Sequence, residues 1–191
     1  RISVPERGDR RKLMAQAQRN AIEALERRLA ETGTKARLNR ELAEFLELDA
    51  PPQRIEVYDN SHIQGTNAVG GMIVAGPEGF LKSQYRKFNI RTAAGANSDD
   101  FGMMKEVLTR RFKRWQTAQS AEAAPGSKPD ESFTFLPDLL IVDGGKGQLS
   151  RAIEVLKKFD LFGKVPVVGL AKEQEELFFP EKADSLVLPR H

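Results

Sequence analysis

The sequence has no cysteine among its 191 residues. Disulfide staples and thiolate zinc sites are therefore excluded, and the chemistry fits a cytoplasmic protein. Histidine is almost as scarce, with only His62 and His191. Any metal centre must then be built mainly from carboxylates, hard oxygen donors that favour Mg²⁺ or Mn²⁺ over zinc. No apolar run approaches the ~20 residues that a membrane helix requires, so no membrane partner is expected. The opening RISVPERG carries neither a methionine nor a signal-peptide pattern and reads as the interior of a longer chain.

What is present is an ordinary globular balance, 40% hydrophobic and 30% charged, in a chain long enough for one domain with a core and an arm. The net charge of +3 is mild, but its distribution is uneven. Lys82, Arg86, Lys87 and Arg91 form one acid-free basic run, and Lys105, Arg110, Arg111, Lys113 and Arg114 form a second beside Glu106 alone. Either run by itself reads as a solvated face. Two of them near a cluster of acids point to a polyanionic partner.

Hydrophobic periodicity orders the elements. Residues 12–31 are good helix formers with Ile22, Leu25 and Leu29 at helical spacing and Gly33 as a stop. A shorter helix follows Asn39 and ends at Pro51-Pro52, making 1–52 an N-terminal helical arm. Strands are expected at 54–59, 68–75 and 80–90, with GPEG at 76–79 closing an antiparallel hairpin. Strand one joins strand two through too short a link for a parallel crossover, so the sheet begins as a meander.

A helix over 99–115 carries Phe101, Met104, Leu108, Phe112 and Trp115 as its apolar stripe, with the arginines on the other side. Residues 116–132 lack periodicity and read as a mobile loop interrupting a single domain that spans 1–191. Then DLLIVDGGKG gives a buried strand ending at Asp143, 147–159 a helix, and VPVVGLA at 165–171 a parallel strand, a βαβ unit. A last hairpin, ELFF with SLVLP, closes the chain. The fold class is α/β: three antiparallel strands followed by parallel strands, flanked by helices, in a ribonuclease H-like layout.

Three aspartates stand out against that layout. Asp59 and Asp143 fall at the C-terminal ends of strands one and four, where loops diverge and ligands bind in α/β sheets. Asp100 lies in the first turn of the 99–115 helix, pointing toward the sheet. Each has a plainer reading: Asp59 and Asp143 as turn residues, Asp100 as complement to a helix dipole. Brought together, three carboxylates would repel one another without a cation, and one or two divalent ions would serve phosphodiester hydrolysis.

The GGKGQ segment at 144–148 matches neither common nucleotide-binding glycine motif. Its glycines can bring backbone N–H groups, and Lys146, to a phosphate; a tight strand-to-helix turn with a solvated lysine explains it equally well. His62, three residues past Asp59, reads as a turn or surface residue. Lys172 and Glu173 lie at another strand's end and can border the site, with Glu173 read as a solvated charge. Candidate DNA contacts are Lys146, Arg86, Lys87, Arg110 and Arg111.

The motifs VPERGD, RNAIEAL, RIEVYDNSHIQG, YRKFNI, DDFGMMKEVLTRR, PDLLIVDGGKGQLS, VVGLAKE and LFF together resemble the C-terminal endonuclease domain of the UvrC family. They span almost everything but 116–132. The resemblance implies a ribonuclease H-like, metal-dependent endonuclease that makes the incision 5′ to a lesion in nucleotide excision repair. It implies damaged double-stranded DNA and UvrB as partners, Asp59 and Asp143 as metal-binding catalytic residues, and Asp100 as a further acidic position needed for incision.

The family also uses a histidine from a helix beyond the LPR segment, a role His191 does not inherit, as well as a GIY-YIG nuclease domain and a helix-hairpin-helix module. Without that histidine, weak metal binding and poor cutting are expected. Two other readings stay open: a non-catalytic DNA- or protein-docking scaffold, and a phosphate-binding module that uses GGKGQ.

Overall fold

The computed structural model describes residues 8–63, 67–90, 100–120, 130–172, 175–182 and 184–187, with the side chains of 62, 63, 67, 100 and 101 outside that description. The chain divides into two units, Arg1–Pro51 and Pro52–His191. In the first, one helix, α1 (Gly8–Phe45), replaces the two expected. Gly33 does not stop it: a lone glycine inside a long run of good helix formers costs only about 1 kcal/mol, and the flanking Thr32 and Thr34 hydroxyls donate back to the Arg28 and Ala30 carbonyls.

The second unit carries a single mixed sheet of β1 (Ile55–Ile63), β2 (Asn67–Gly76), β3 (Gly79–Phe80), β4 (Arg86–Asn89), β5 (Leu139–Asp143), β6 (Val167–Ala171), β7 (Glu176–Phe178) and β8 (Leu186–Val187). Its order is β3-β2-β1-β5-β6-β7-β8, with β4 also on β2. β1 pairs β2 antiparallel and β5 parallel, and β5 pairs β6 parallel. This is the ribonuclease H-like arrangement expected from the element order, an antiparallel meander joined through β1 to a parallel half.

The expected third strand over 80–90 is broken. A 3-10 turn at Lys82–Gln84 separates β3 from β4, and the two pieces pair with different parts of β2. The stretch expected as a loop at 116–132 is partly helical: α2 (Asp100–Gln119) runs on to Gln119, and a short helix, α3 (Glu131–Thr134), starts under an Asp130 cap. Residues 121–129, and with them the expected mobility, lie outside the described residues.

The core lies between the sheet and α2, α3 and α4 (Lys146–Lys158). Tyr58, Met72, Val74, Leu140 and Val142 from the sheet meet Met104, Leu108 and Phe112 from α2 and Leu149 and Leu156 from α4, all buried. The apolar stripe read from 99–115 is therefore real for Met104, Leu108 and Phe112. On the opposite face, Ile55, Val57 and Ile141 are half-buried. α2 packs close to the β1–β2 hairpin because β2 carries Gly70, where a Cβ would stand 2.4 Å from the Val107 Cγ2.

Candidate active site

Strand alternation gives β1 two different faces. Arg54, Glu56 and Tyr58 share the face under the helices and are buried, while Ile55, Val57 and Asp59 share the other. A carboxylate sealed in a core needs partners, and Glu56 has them. Arg111 donates from Nη2 to Oε1 at 2.8 Å and from Nε to Oε2 at 3.1 Å. Arg54 Nε adds 2.8 Å and the Tyr58 hydroxyl 2.6 Å. The spare guanidinium donors reach carbonyls of Ser132, Phe133 and Phe135, so the cluster also ties down α3 and the chain entering β5.

This overturns the reading of Arg111 as a DNA contact on the outer side of its helix. Arg111 is wholly buried. The signal was present in the sequence: Arg111 follows Met104 by seven residues and Leu108 by three, which is the apolar stripe itself. Glu56, two residues before Tyr58, was legible in the same way.

Asp59 does not end its strand. Asn60, Ser61, His62 and Ile63 continue β1 and pair with Gly70, Val69, Ala68 and Asn67 of β2, so the turn expected after Asp59 is corrected to strand, and with it the placing of His62 in a turn. The parallel ladder to β5 does end here. Its last registered pair is Tyr58 with Val142, and one step on stand Asp59 and Asp143, side by side on adjacent strands. Past Asp143 the chain turns sharply at Gly144, whose φ of +137° and closeness to Gln148 Cβ, 2.9 Å from a notional Cβ, both require glycine. The GGKGQ segment is thus a packed strand-to-helix turn, and Lys146 is the exposed first residue of α4.

The two aspartates share one cation. Lys172, just past the end of β6, places Nζ 2.6 Å from Asp143 Oδ2 and 3.5 Å from Asp59 Oδ2. Burial raises the Asp59 carboxyl above its ordinary 3.8; a hydrogen bond with Asp143 and that residue's charge raise it further, against the pull of Lys172. The Lys172 ammonium is held protonated, chiefly by its hydrogen bond to Asp143. Among the described residues no third His, Cys, Asp or Glu completes a metal-binding group with them. Asp100 is the first residue of α2, and its side chain, like Glu173 and His191, lies outside the described residues.

The basic candidates differ in exposure and in the partners they hold. Lys87 and Lys146 are exposed. Arg86 is held by Asp130, through Nη2 to Oδ1 at 2.5 Å and Nε to Oδ2 at 2.8 Å, which lowers the Asp130 carboxyl to about 2. Arg110 reaches the Asn89 carbonyl at 2.6 Å and Glu106 at 3.3 Å, with its guanidinium over the Phe88 ring. No helix among the described residues is long and apolar enough to cross a membrane.

Comparison with known proteins adds an independent line. Residues 43–191 match the family model described as the UvrC RNAse H endonuclease domain. The chain is 55% identical over 193 residues to the UvrABC system protein C of Novosphingobium aromaticivorans, covering 97% of this chain and 28% of that protein. It is 59% identical over 171 residues to the protein of the same name from Cereibacter sphaeroides, covering 90% of this chain and 26% of the relative. The chain therefore spans little more than a quarter of the length of the curated relatives it matches. Among solved structures, Ciona intestinalis Endonuclease V (D234N), in complex with DNA containing an inosine followed by a ribo-adenosine, aligns at a TM-score of 0.42 and 12% identity, covering 75% of this chain and 57% of that one. Human ENDOV aligns at 0.41 and 17%, covering 78% and 59%.

Proposed function

The chain belongs to the UvrC RNase H endonuclease domain family, and we propose that it cuts DNA by divalent-metal-dependent phosphodiester hydrolysis, making the 5′ incision beside a lesion in nucleotide excision repair. The observation that carries this reading is the pairing of Asp59 and Asp143 on adjacent parallel strands around one cation. The donor chemistry fits a hard divalent ion. Two carboxylates converge at the end of the parallel ladder, and Mg²⁺ commonly uses one or two carboxylates while keeping several waters. When bound, Mg²⁺ or Mn²⁺ would supply an activated water and stabilise the departing oxygen.

The chain's own groups then divide the work. Asp59 and Asp143 would hold the ion, each from a strand whose ladder fixes its position, and Asp100, at the head of α2, is the further acidic residue proposed for incision. Lys146, Lys87, Arg86 and Arg110 are proposed to contact the DNA backbone, where phosphate contacts position the duplex without reading sequence. Damaged double-stranded DNA is the proposed substrate and UvrB the proposed partner that presents it.

Incision of a lesion-bearing duplex by the full-length protein, resolved by product length, tests the assignment. Asp59→Ala and Asp143→Ala are each expected to abolish 5′ incision and leave 3′ incision intact. Near-normal 5′ cutting by either variant would remove the site.

A further inference from the structure

Lys172 reaches both aspartates from a third strand. Asp143 registers with Leu170 of β6, and Lys172 lies two residues on, so alternation returns its side chain to the face Asp143 uses. Its Nζ stands 2.6 Å from Asp143 Oδ2 and 3.5 Å from Asp59 Oδ2. We propose that the Lys172 ammonium is a resident counter-ion in the cation seat, one that must leave when a divalent ion binds and then becomes a ligand of the substrate phosphate. This inference rests on the metal-nuclease reading of the same site.

Distances carry the first half. A Mg²⁺ ion bound to both carboxylates would stand about 2.0–2.1 Å from their oxygens, inside the volume the ammonium now fills. The two cations also repel, so they cannot share the seat. The ammonium is able to leave: the Lys172 side chain is 59% exposed on a flexible stem, and an exposed lysine–carboxylate pair is worth roughly 0–1 kcal/mol. While it stays, it offsets the repulsion between two carboxylates that the β1–β5 ladder forces together.

The second half follows from charge. With its carboxylates taken by a divalent ion, Lys172 remains tethered beside the sheet end without its anions. A phosphodiester positioned for hydrolysis over Asp59 and Asp143 brings a negative oxygen into that space, and the displaced ammonium is suited to hold it as a point charge. Lys172 then touches the reacting phosphate and is a catalytic residue. A lysine that only staples the strands together would behave differently, because its loss would let the carboxylates spread and weaken metal binding.

Mn²⁺ binding to the 191-residue chain, read from the electron paramagnetic resonance of the free ion, separates these cases. Removing one positive charge a few ångströms from a divalent ion near the surface is expected to tighten binding in Lys172→Met by about tenfold. Lys172→Arg, which keeps the charge, should stay near the wild-type affinity, and Asp143→Asn should lose binding. Unchanged or weaker binding by Lys172→Met overturns the resident counter-ion. If neither wild type nor Lys172→Met binds Mn²⁺, the metal-nuclease reading itself falls, and the inference with it. Single-turnover 5′ incision by the full-length protein at saturating Mg²⁺ tests the hand-over: Lys172→Met should slow it at least tenfold and Lys172→Arg recover part of the loss. Wild-type rates in Lys172→Met would overturn the phosphate contact.

Discussion

The Arg111 guanidinium grips both oxygens of the Glu56 carboxylate, 2.8 and 3.1 Å away, with neither side chain reaching solvent. Burying two ions is costly, and the attraction between them repays that cost only while both remain. Glu56→Gln leaves the Arg111 charge without its carboxylate inside the core and should destabilise the chain by about 3–5 kcal/mol. Replacing both, as in Glu56→Gln with Arg111→Met, should cost clearly less than the two single changes added together. Urea denaturation of the four proteins, analysed as a double-mutant cycle, measures the difference.

Tyr58 belongs to the same cluster and gives it an alkaline signature. Burial, and after it the Glu56 charge, hold its hydroxyl proton well above the ordinary 10.0. The folded chain therefore keeps a proton that the unfolded chain releases above pH 10. Stability contributed by this group is complete below pH 10 and is lost as pH rises beyond it. Thermal melts between pH 8 and 11 should show a decline that Tyr58→Phe makes shallower. Ultraviolet titration should show the Tyr58 phenolate forming only as the chain unfolds.

That cluster also marks how far the sequence could be read. Most of the element order follows from alternation and connection length, which local patterns encode well; the β1–β5 adjacency, and with it the meeting of Asp59 and Asp143, follows only once the ribonuclease H-like layout is adopted. Arg111 was misread because type was allowed to outweigh position: it occupies a stripe position. Glu56, at an inward strand position, was not singled out at all. The break at 82–84 and the persistence of α1 through Gly33 depend on which partner a segment finds, information that no local window holds. The role of Lys172 lay between: its position at a strand end was visible, but its reach to both aspartates requires the register of β6.

Asp59 should leave a mark on stability as well as on cutting. Its folded carboxyl titrates above the ordinary 3.8, mainly because burial and Asp143 disfavour its charge. The sign is therefore opposite to that of a salt-bridged aspartate: the folded chain loses stability as pH rises through the range where Asp59 ionises. Asp59→Asn removes the charge and should raise the melting temperature in metal-free buffer at pH 7 by about 1–3 °C, a small gain because the group is half-exposed. The gain should shrink as pH falls through the range where wild-type Asp59 takes up its proton. A chelated sample melted at pH 4 and pH 7 checks both points.

The proposed DNA face can be tested residue by residue through salt. Each lysine that neutralises a phosphate contributes close to one unit to the slope of log affinity against log salt, because each contact releases counter-ions. Lys87 and Lys146 are exposed, so Lys87→Ala and Lys146→Ala should each lower the slope by about 1 and weaken binding without changing sequence preference. Arg86 already spends two donors on Asp130, so contacting DNA means giving up that pair. Arg86→Ala should change the slope by less than Lys87→Ala. An unchanged slope in both lysine variants would move the duplex to another surface of the sheet.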